Sequence, residues 1–318
     1  MKFSIQPYSI YELGKRERQE DSIYPSHGAA TPQDRLFILC DGMGGHSAGD
    51  VASATVCEAL SSAVMAQQSS MGDVFAEEDF RLALAQAYDV LDTKDNGAAK
   101  KMGTTLTFLK FHSRGAMIAH IGDSRVYHIR PGQTPETTQI LFQTSDHSLV
   151  NDLVKVGELT PDEAKTSSQR NIITRAMQPL MLRRSKADLY HAADIQAGDY
   201  FMLCSDGILE QMDDFDVQQI FSDRIATPEA KIETIIRATQ DNADNHSAYV
   251  IQVLDVVYDQ GERAALSRTD CFKPTEKSRK STAPRPATFN KRHLFLSLLM
   301  ALVVLLILLY VAYKFILS

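Results

Sequence analysis

Tryptophan is absent from this chain and cysteine is rare. The first absence excludes no fold class, but the second narrows the field. Cys40, Cys57, Cys204 and Cys271 fall in neither a metal-ligand nor a disulfide-framework spacing, which argues against a cysteine-built zinc module and a disulfide scaffold. Cys40 and Cys204 close apolar runs and read as buried free thiols of a reducing compartment. Met1 to Arg18 holds no long apolar run, so no secretory signal is read there. No internal repeat is found. An excess of positive charge is lacking over most of the chain: ten of the 33 Lys and Arg but only two of the 40 Asp and Glu lie beyond Glu262. Residues 1–262 are therefore near −15 and the remainder near +8, which argues against nucleic acid as a partner. Apolar residues make up 44% of 318, enough for a real core in one large domain or two small ones.

What is present is a recurrent pattern of carboxylates at the ends of apolar runs. The run Arg35 to Cys40 suits one buried strand and leads into DGMGGH, Asp41 to His46. Ala52, Val56, Ala59, Leu60, Ala63 and Val64 then recur at helical spacing. The segment reads as strand, glycine-rich turn and helix, with Asp41 at the strand's end. Gly42, Gly44 and Gly45 let the backbone turn sharply and approach something small. A carboxylate beside bare carbonyls suits a hard cation.

The pattern repeats. Tyr200 to Leu203 leads into CSDG at Cys204 to Gly207, Asp123 follows another apolar run, Asp244 precedes the strand-like run Tyr249 to Val257, and Glu20 and Asp21 follow the basic residues Lys15, Arg16 and Arg18. Carboxylates at several strand ends converge if the strands share a sheet, and a divalent metal pair removes their mutual repulsion. Oxygen ligands without a Cys or His cluster point to Mg²⁺ or Mn²⁺ rather than Zn²⁺. Other strand-like runs are Thr104 to Phe111, Ala116 to Ile121, Val126 to Ile129 and Thr138 to Phe142. Being mostly consecutive, they predict an antiparallel meander. Helices are predicted over Ala48 to Met65, Glu78 to Leu91 and Pro228 to Asp241.

In order along Tyr8 to Val257 the chain carries R-x-x-Q-E-D at Arg16 to Asp21, DGMGGH, G-T-T-L at Gly103 to Leu106 and G-D-S-R at Gly122 to Arg125. T-S-D-H-S at Thr144 to Ser148, N-I-I-T-R-A at Asn171 to Ala176, S-D-G and Asp244-Asn245 follow. Together these resemble the metal-dependent serine/threonine protein phosphatases of type 2C in their bacterial form. The resemblance implies an α+β fold, a four-layer α-β-β-α sandwich of two antiparallel sheets flanked by helices, with the polar stretch Asp146 to about Ala193 as a variable flap beside the site. It implies hydrolysis of phosphoserine and phosphothreonine in proteins by a hydroxide bridging two metals.

By the same resemblance Asp41 bridges the metals and Asp206 and Asp244 bind the first. The Gly42 carbonyl binds the second, with Asp21 and Glu20 acting from its water shell. Asp123, with Asp206, matches a third metal position, and Arg16 clamps the phosphate, a task suited to a planar guanidinium. The chain departs from the pattern in three places. Gln19 stands where Asn is usual, Gln178 where Gly is usual, and Asp241 to Asp244 lack the usual Gly-Ser start. Met43 stands where eukaryotic members carry a His proposed as general acid, which leaves His46 or a metal-bound water for that role; His147 and His246 are read as structural. The alternative function is a pseudophosphatase, a phosphoprotein-binding module without turnover, and another keeps catalysis but acts on a small phosphorylated metabolite or a phosphorylated regulator of a stress pathway.

The C-terminal residues have a different character. Leu294 to Tyr313 is apolar without a charge and long enough to span a bilayer. Residues 263–293 are rich in Lys, Arg, Ser, Thr and Pro, fitting a flexible linker, and their basic character predicts a single-pass protein of the inner (plasma) membrane with residues 1–262 cytoplasmic. Residues 314–318 form a short tail beyond the span. The expected partners are phosphorylated proteins, an opposing serine/threonine kinase and, through the anchor, the membrane.

Overall fold

Alternation of apolar and polar residues starts the first strand: in β1 (Lys2–Glu12) Phe3 and Ile5 are buried while Lys2 and Ser4 face solvent. The computed structural model describes residues 1–44, 48–71, 74–99, 101–223 and 225–258, and Met1–Asp259 form one compact unit. β2 (Asp21–Tyr24) and β3 (Leu36–Met43) pair antiparallel, and two helices follow, α1 (Gly49–Met71) and α2 (Glu77–Asp92). β4 (Gly103–Thr104), β5 (Leu106–His112) and β6 (Gly115–Ile121) complete a run in one sheet; β7 (Arg125–Arg130) and β8 (Gln139–Gln143) belong to the other. Two short helices, α3 (Leu149–Val156) and α4 (Pro161–Thr166), lead to β9 (Asp188–Ala192). The rest of the domain is β10 (Tyr200–Cys204), α5 (Asp206–Leu209), α6 (Asp214–Ser222), α7 (Pro228–Thr239) and β11 (His246–Val257).

One sheet has the order β1-β11-β10-β7-β8 and the other β2-β3-β5-β6-β9, with β4 added beside β3; all pairs are antiparallel. Three apolar cores define the layers. Phe37, Leu39, Leu109 and Phe111 of one sheet pack on Phe201, Leu203, Tyr249 and Ile251 of the other. Ile38, Phe108 and Met117 face α1 and α2 through Val56, Leu60, Phe80 and Tyr88. Tyr127, Met202 and Val250 face α6 and α7 through Val217, Phe221 and Ile235. Strand residues of alternate parity thus feed different cores, which explains why β3, β5 and β6 read as continuous apolar runs: both of their faces are covered.

The meander expected from consecutive strands holds only within pairs. β6 and β7, although separated by only three residues, lie in different sheets. The crossing is made at Gly122, whose φ of +109° is open to glycine, and a Cβ there would lie 2.6 Å from Thr105 Cγ2. Among the described residues no helix is long and apolar enough to cross a membrane; the apolar run Leu294 to Tyr313 lies outside them.

Candidate metal centre

β2 and β3 are paired so that Asp21 stands directly opposite Asp41. Asp41 is therefore inside a strand that continues to Met43, not at its end. Its peptide is fixed from both sides by the G-T-T-L segment. The Asp41 N–H donates to Thr105 Oγ1 at 3.0 Å, and the Asp41 carbonyl accepts from Thr105 N and Thr104 Oγ1, each at 2.9 Å. Gly42 N–H donates to the Glu20 carbonyl at 3.0 Å, and a Cβ on Gly42 would lie 2.2 Å from the Gly49 carbonyl oxygen, so only glycine fits between the two segments.

The second sheet delivers its carboxylates at the same edge. Asp206 opens α5 directly after β10, and Asp244 lies two residues before β11. Ser205 Oγ donates to Asp21 Oδ2 at 3.1 Å, joining the two sheets. Asp123 sits at the crossover, next to Ser124, whose hydroxyl meets Thr105 Oγ1 at 2.8 Å. Asp123 Oδ1 is buried without a hydrogen-bond partner.

Crowding shows in the titration of these groups. Burial, then repulsion from Asp206, Asp21 and Asp123, holds the Asp41 carboxyl well above the carboxylate range. Burial with repulsion from Asp206 and Asp244 raises Asp21 to about 7. Burial with repulsion from Asp206 and Asp146 raises Asp123 to about 8. Burial and the nearby Asp244 raise Asp206 to about 6. Four carboxyls raised above the ordinary carboxylate range, one with an orphaned oxygen, form a donor set that a hard divalent cation satisfies. Their oxygens fit Mg²⁺ or Mn²⁺.

Arg16 reaches this edge but is engaged: its Nε and Nη2 donate to Asp244 Oδ1 and Oδ2 at 2.8 and 2.6 Å. Glu20 is placed by its backbone, its N–H donating to Asn245 Oδ1 at 2.8 Å, while its Oε1 lies 2.8 Å from where a Cβ on Gly49 would stand, at the start of α1. His46 lies outside the described residues. His246 is buried, with Nδ1 at 3.1 Å from the Asp244 carbonyl, a structural role.

Several contributors were not assigned a task by sequence reasoning. Asn245 donates to the Leu13 and Arg18 carbonyls at 2.9 and 3.0 Å, fixing the loop that presents Arg16 and Asp21. Arg125 binds Asp146 through both carboxylate oxygens at 2.7 and 2.8 Å, holding the crossover against the T-S-D-H-S segment. The motifs containing these residues were visible; their side-chain partners are far along the chain, so no spacing reveals them. A second cluster, His120, His147 and Asp188, also places possible ligand atoms within 4.8 Å of one another. His147 Nδ1 accepts from Gly122 N–H, which puts its proton on Nε2 facing Asp188, and Arg175 already supplies the cation at 2.9 Å from Asp188 Oδ1. That cluster is a closed structural network.

A profile described as Protein phosphatase 2C matches residues 14–241. The chain belongs to the protein phosphatase 2C family. The serine/threonine protein phosphatase PstP of Mycobacterium tuberculosis is 34% identical over 258 residues, covering 78% of this chain and 44% of that protein. The protein phosphatase PhpP of Streptococcus pneumoniae is 33% identical over 223 residues, covering 70% and 86%. The chain thus spans under half the length of the mycobacterial relative. A crystal structure of the M. tuberculosis phosphatase superposes with a TM-score of 0.61 at 28% identity, covering 79% of this chain and 99% of the other. The catalytic domain of PstP in complex with 2 manganese ions gives 0.62 at 26%, covering 80% and 100%. The family places its members' fold as two antiparallel sheets with helices, as found here.

Proposed function

We propose that this chain hydrolyses phosphoserine and phosphothreonine in proteins, using two divalent cations, Mn²⁺ or Mg²⁺, held at the sheet edge. The observation that carries the reading is the cluster of Asp21, Asp41, Asp123, Asp206 and Asp244, whose repulsion calls for positive charge. The family membership and the two manganese ions of the related PstP domain support it. Bound cations would polarise the phosphoryl oxygens and bring the pKa of a bound water toward neutrality.

The chain's own residues then have distinct tasks. Asp41, which faces both Asp21 and Asp206, would be the ligand shared by the two cations. Asp206 and Asp244 would hold the first and the Gly42 carbonyl the second, with Asp21 and Glu20 ordering its waters. Asp123 with Asp206 would offer a third position. Arg16, which now pairs with both oxygens of Asp244, would bind two oxygens of the substrate phosphate in the same bidentate way. Thr104 and Thr105 keep Asp41 from shifting as charge develops.

We propose residues 1–262 as the catalytic domain, 263–293 as a basic linker, 294–313 as a transmembrane helix and 314–318 as a short tail, with the domain on the cytoplasmic face of the inner membrane. The apolar run and its flanking Lys291 and Arg292 support this. A tether would concentrate the enzyme near membrane-associated phosphoproteins and their serine/threonine kinase. Extraction of cell membranes with alkaline carbonate should leave the full chain in the pellet and release one ending at Glu262; a full chain in the supernatant would overturn the anchor.

Protein stripped of metal should release phosphate from a phosphothreonine peptide only after Mn²⁺ is restored, and Asp206→Ala should abolish release. Retained binding of the phosphopeptide with no Mn²⁺-dependent release would replace the enzyme with a phosphoprotein-binding module.

A further inference from the structure

The segment leaving the metal centre ends in an exposed, strained and basic ledge. Met177 and Thr104 exchange backbone hydrogen bonds of 2.8 and 2.9 Å, and Thr104 in turn holds the Asp41 carbonyl. Three residues on, Leu180 has φ +54°, a conformation that a leucine adopts only at a cost of order 1–3 kcal/mol. It is held there by Asp92, whose Oδ1 accepts from Leu180 N–H at 2.7 Å while Oδ2 accepts from Arg184 at 2.7 Å. Arg184 also binds Asp89 and lies over the Tyr88 ring. The result of this bracing is that Leu180 is 61% exposed and Leu182 fully exposed, so the strain presents apolar side chains to solvent instead of burying them.

Charge and shape accompany the exposed leucines. No Asp or Glu occurs from Lys165 to Lys186, in a domain that is otherwise strongly acidic. Arg183 and Lys186 are exposed and make no ion pair among the described residues. Directly behind them is a cavity of about 420 Å³, walled by Phe80, Leu84, Tyr88, Arg184, Ala187 and Leu189. Its wall is tied to the metal centre: Tyr88 donates to the Ser185 carbonyl at 3.0 Å, and Ser185 Oγ donates to the Ala176 carbonyl at 2.9 Å.

We propose that the Leu180–Lys186 ledge and this cavity form a docking site for the stretch of a phosphoprotein substrate that flanks its phosphorylated residue. That stretch carries an apolar side chain for the cavity and acidic side chains for Arg183 and Lys186. The inference rests on the phosphatase reading above and deepens it. Leu182 lies five positions beyond Met177, a reach of at most about 18 Å, which an extended peptide of similar length also covers. A protein segment fits better than an anionic bilayer. The exposed leucines form a short turn beside a cavity rather than a broad apolar face.

The test uses the full chain in detergent with Mn²⁺ and three substrates. These are p-nitrophenyl phosphate, a phosphothreonine peptide with Leu and a Glu pair about five residues from the phosphate, and the same peptide with Ala and Lys there. The wild type should favour the Leu/Glu peptide over the Ala/Lys peptide. In a Leu182→Ser/Arg183→Glu/Lys186→Glu variant, kcat/KM for the Leu/Glu peptide should fall about tenfold or more through KM. Rates on p-nitrophenyl phosphate should stay unchanged, and binding of the fluorescent peptide should weaken by the same factor. Equal preference for the two peptides in the wild type, or parallel losses on all three substrates in the variant, would overturn the docking site. Unchanged peptide kinetics with reduced binding to mixed micelles of the detergent and phosphatidylserine would overturn it in favour of a membrane contact. If the wild type fails to hydrolyse p-nitrophenyl phosphate with Mn²⁺, the phosphatase reading fails first, and the peptide-binding comparison still decides the ledge.

Discussion

Asp123 occupies a costly position: it is buried, one oxygen has no partner, and it holds a proton up to about 8. Replacing it with Asn should remove the charge that it gains as pH rises through about 8, and so raise the melting temperature of the metal-free protein at about pH 9 by a few degrees, the scale of about 1 kcal/mol in a domain of this size. The same change should weaken Mn²⁺-dependent turnover, and calorimetry beside phosphate release checks both. Thr105 is the opposite case, since it stabilises by hydrogen bonding. Thr105→Val keeps the shape but leaves the Asp41 N–H without its acceptor, so it should cost about 1–3 kcal/mol in urea unfolding. These two substitutions separate a residue kept for a ligand from one kept for the frame that carries the ligand.

The crossover between β6 and β7 shows how a local backbone choice sets the architecture. Gly122→Ala would push a Cβ into Thr105 and strain a positive φ, so it should lower stability and activity together, in contrast to Asp123→Asn. At the α2–β5 contact, Phe108 is fully buried against Phe75 and Phe80; Phe108→Ala should cost about 3–5 kcal/mol in urea unfolding. Much of this was legible in the sequence. The runs that became β3, β5, β6 and β10 are apolar because both faces are covered, and the helical spacing of α1, α2 and α7 is strong. β2 and β9 were missed because they are short and half-exposed, and β1 because its alternation contains Pro7 and many polar residues. The sheet change at Gly122 was also missed, since neighbouring strands ordinarily pair and only the glycine hinted otherwise. At the site, the Asp residues were visible as recurrent strand ends, whereas Asn245, Arg125 and the Leu180 brace depend on partners tens of residues away. The engagement of Arg16 with Asp244 could not be read from either motif alone.

For the whole molecule, the raised carboxyls fix the sign of the pH dependence. A carboxyl whose pKa is higher in the folded state stabilises that state below its unfolded value near 4, and the benefit disappears as pH rises through the folded value. With Asp206, Asp21 and Asp123 at about 6, 7 and 8, the metal-free protein should lose stability steadily between about pH 5 and 8. Asp199 acts in the other direction: against its burial, Arg130 and His128 hold its carboxyl low, so its contribution is lost on acidification. Metal-free protein should therefore be most stable near pH 5, and the gain in melting temperature on adding Mn²⁺ should grow toward pH 8. A gain independent of pH would contradict the cluster as the cation's location. The origin of the carboxylates gives this behaviour a mechanical side. Asp21 and Asp41 belong to one sheet, Asp206 and Asp244 flank strands of the other, and Asp123 sits on the chain passing between them. Repulsion among them acts as a pressure prying the two sheets apart at one edge, resisted by the aromatic interior of Phe37, Phe111, Phe201 and Tyr249. A cation would turn that pressure into tension and work as a clasp, added to the hydrogen bonds from Ser205 to Asp21 and from Glu20 to Asn245 that join the two sheets at this edge without it.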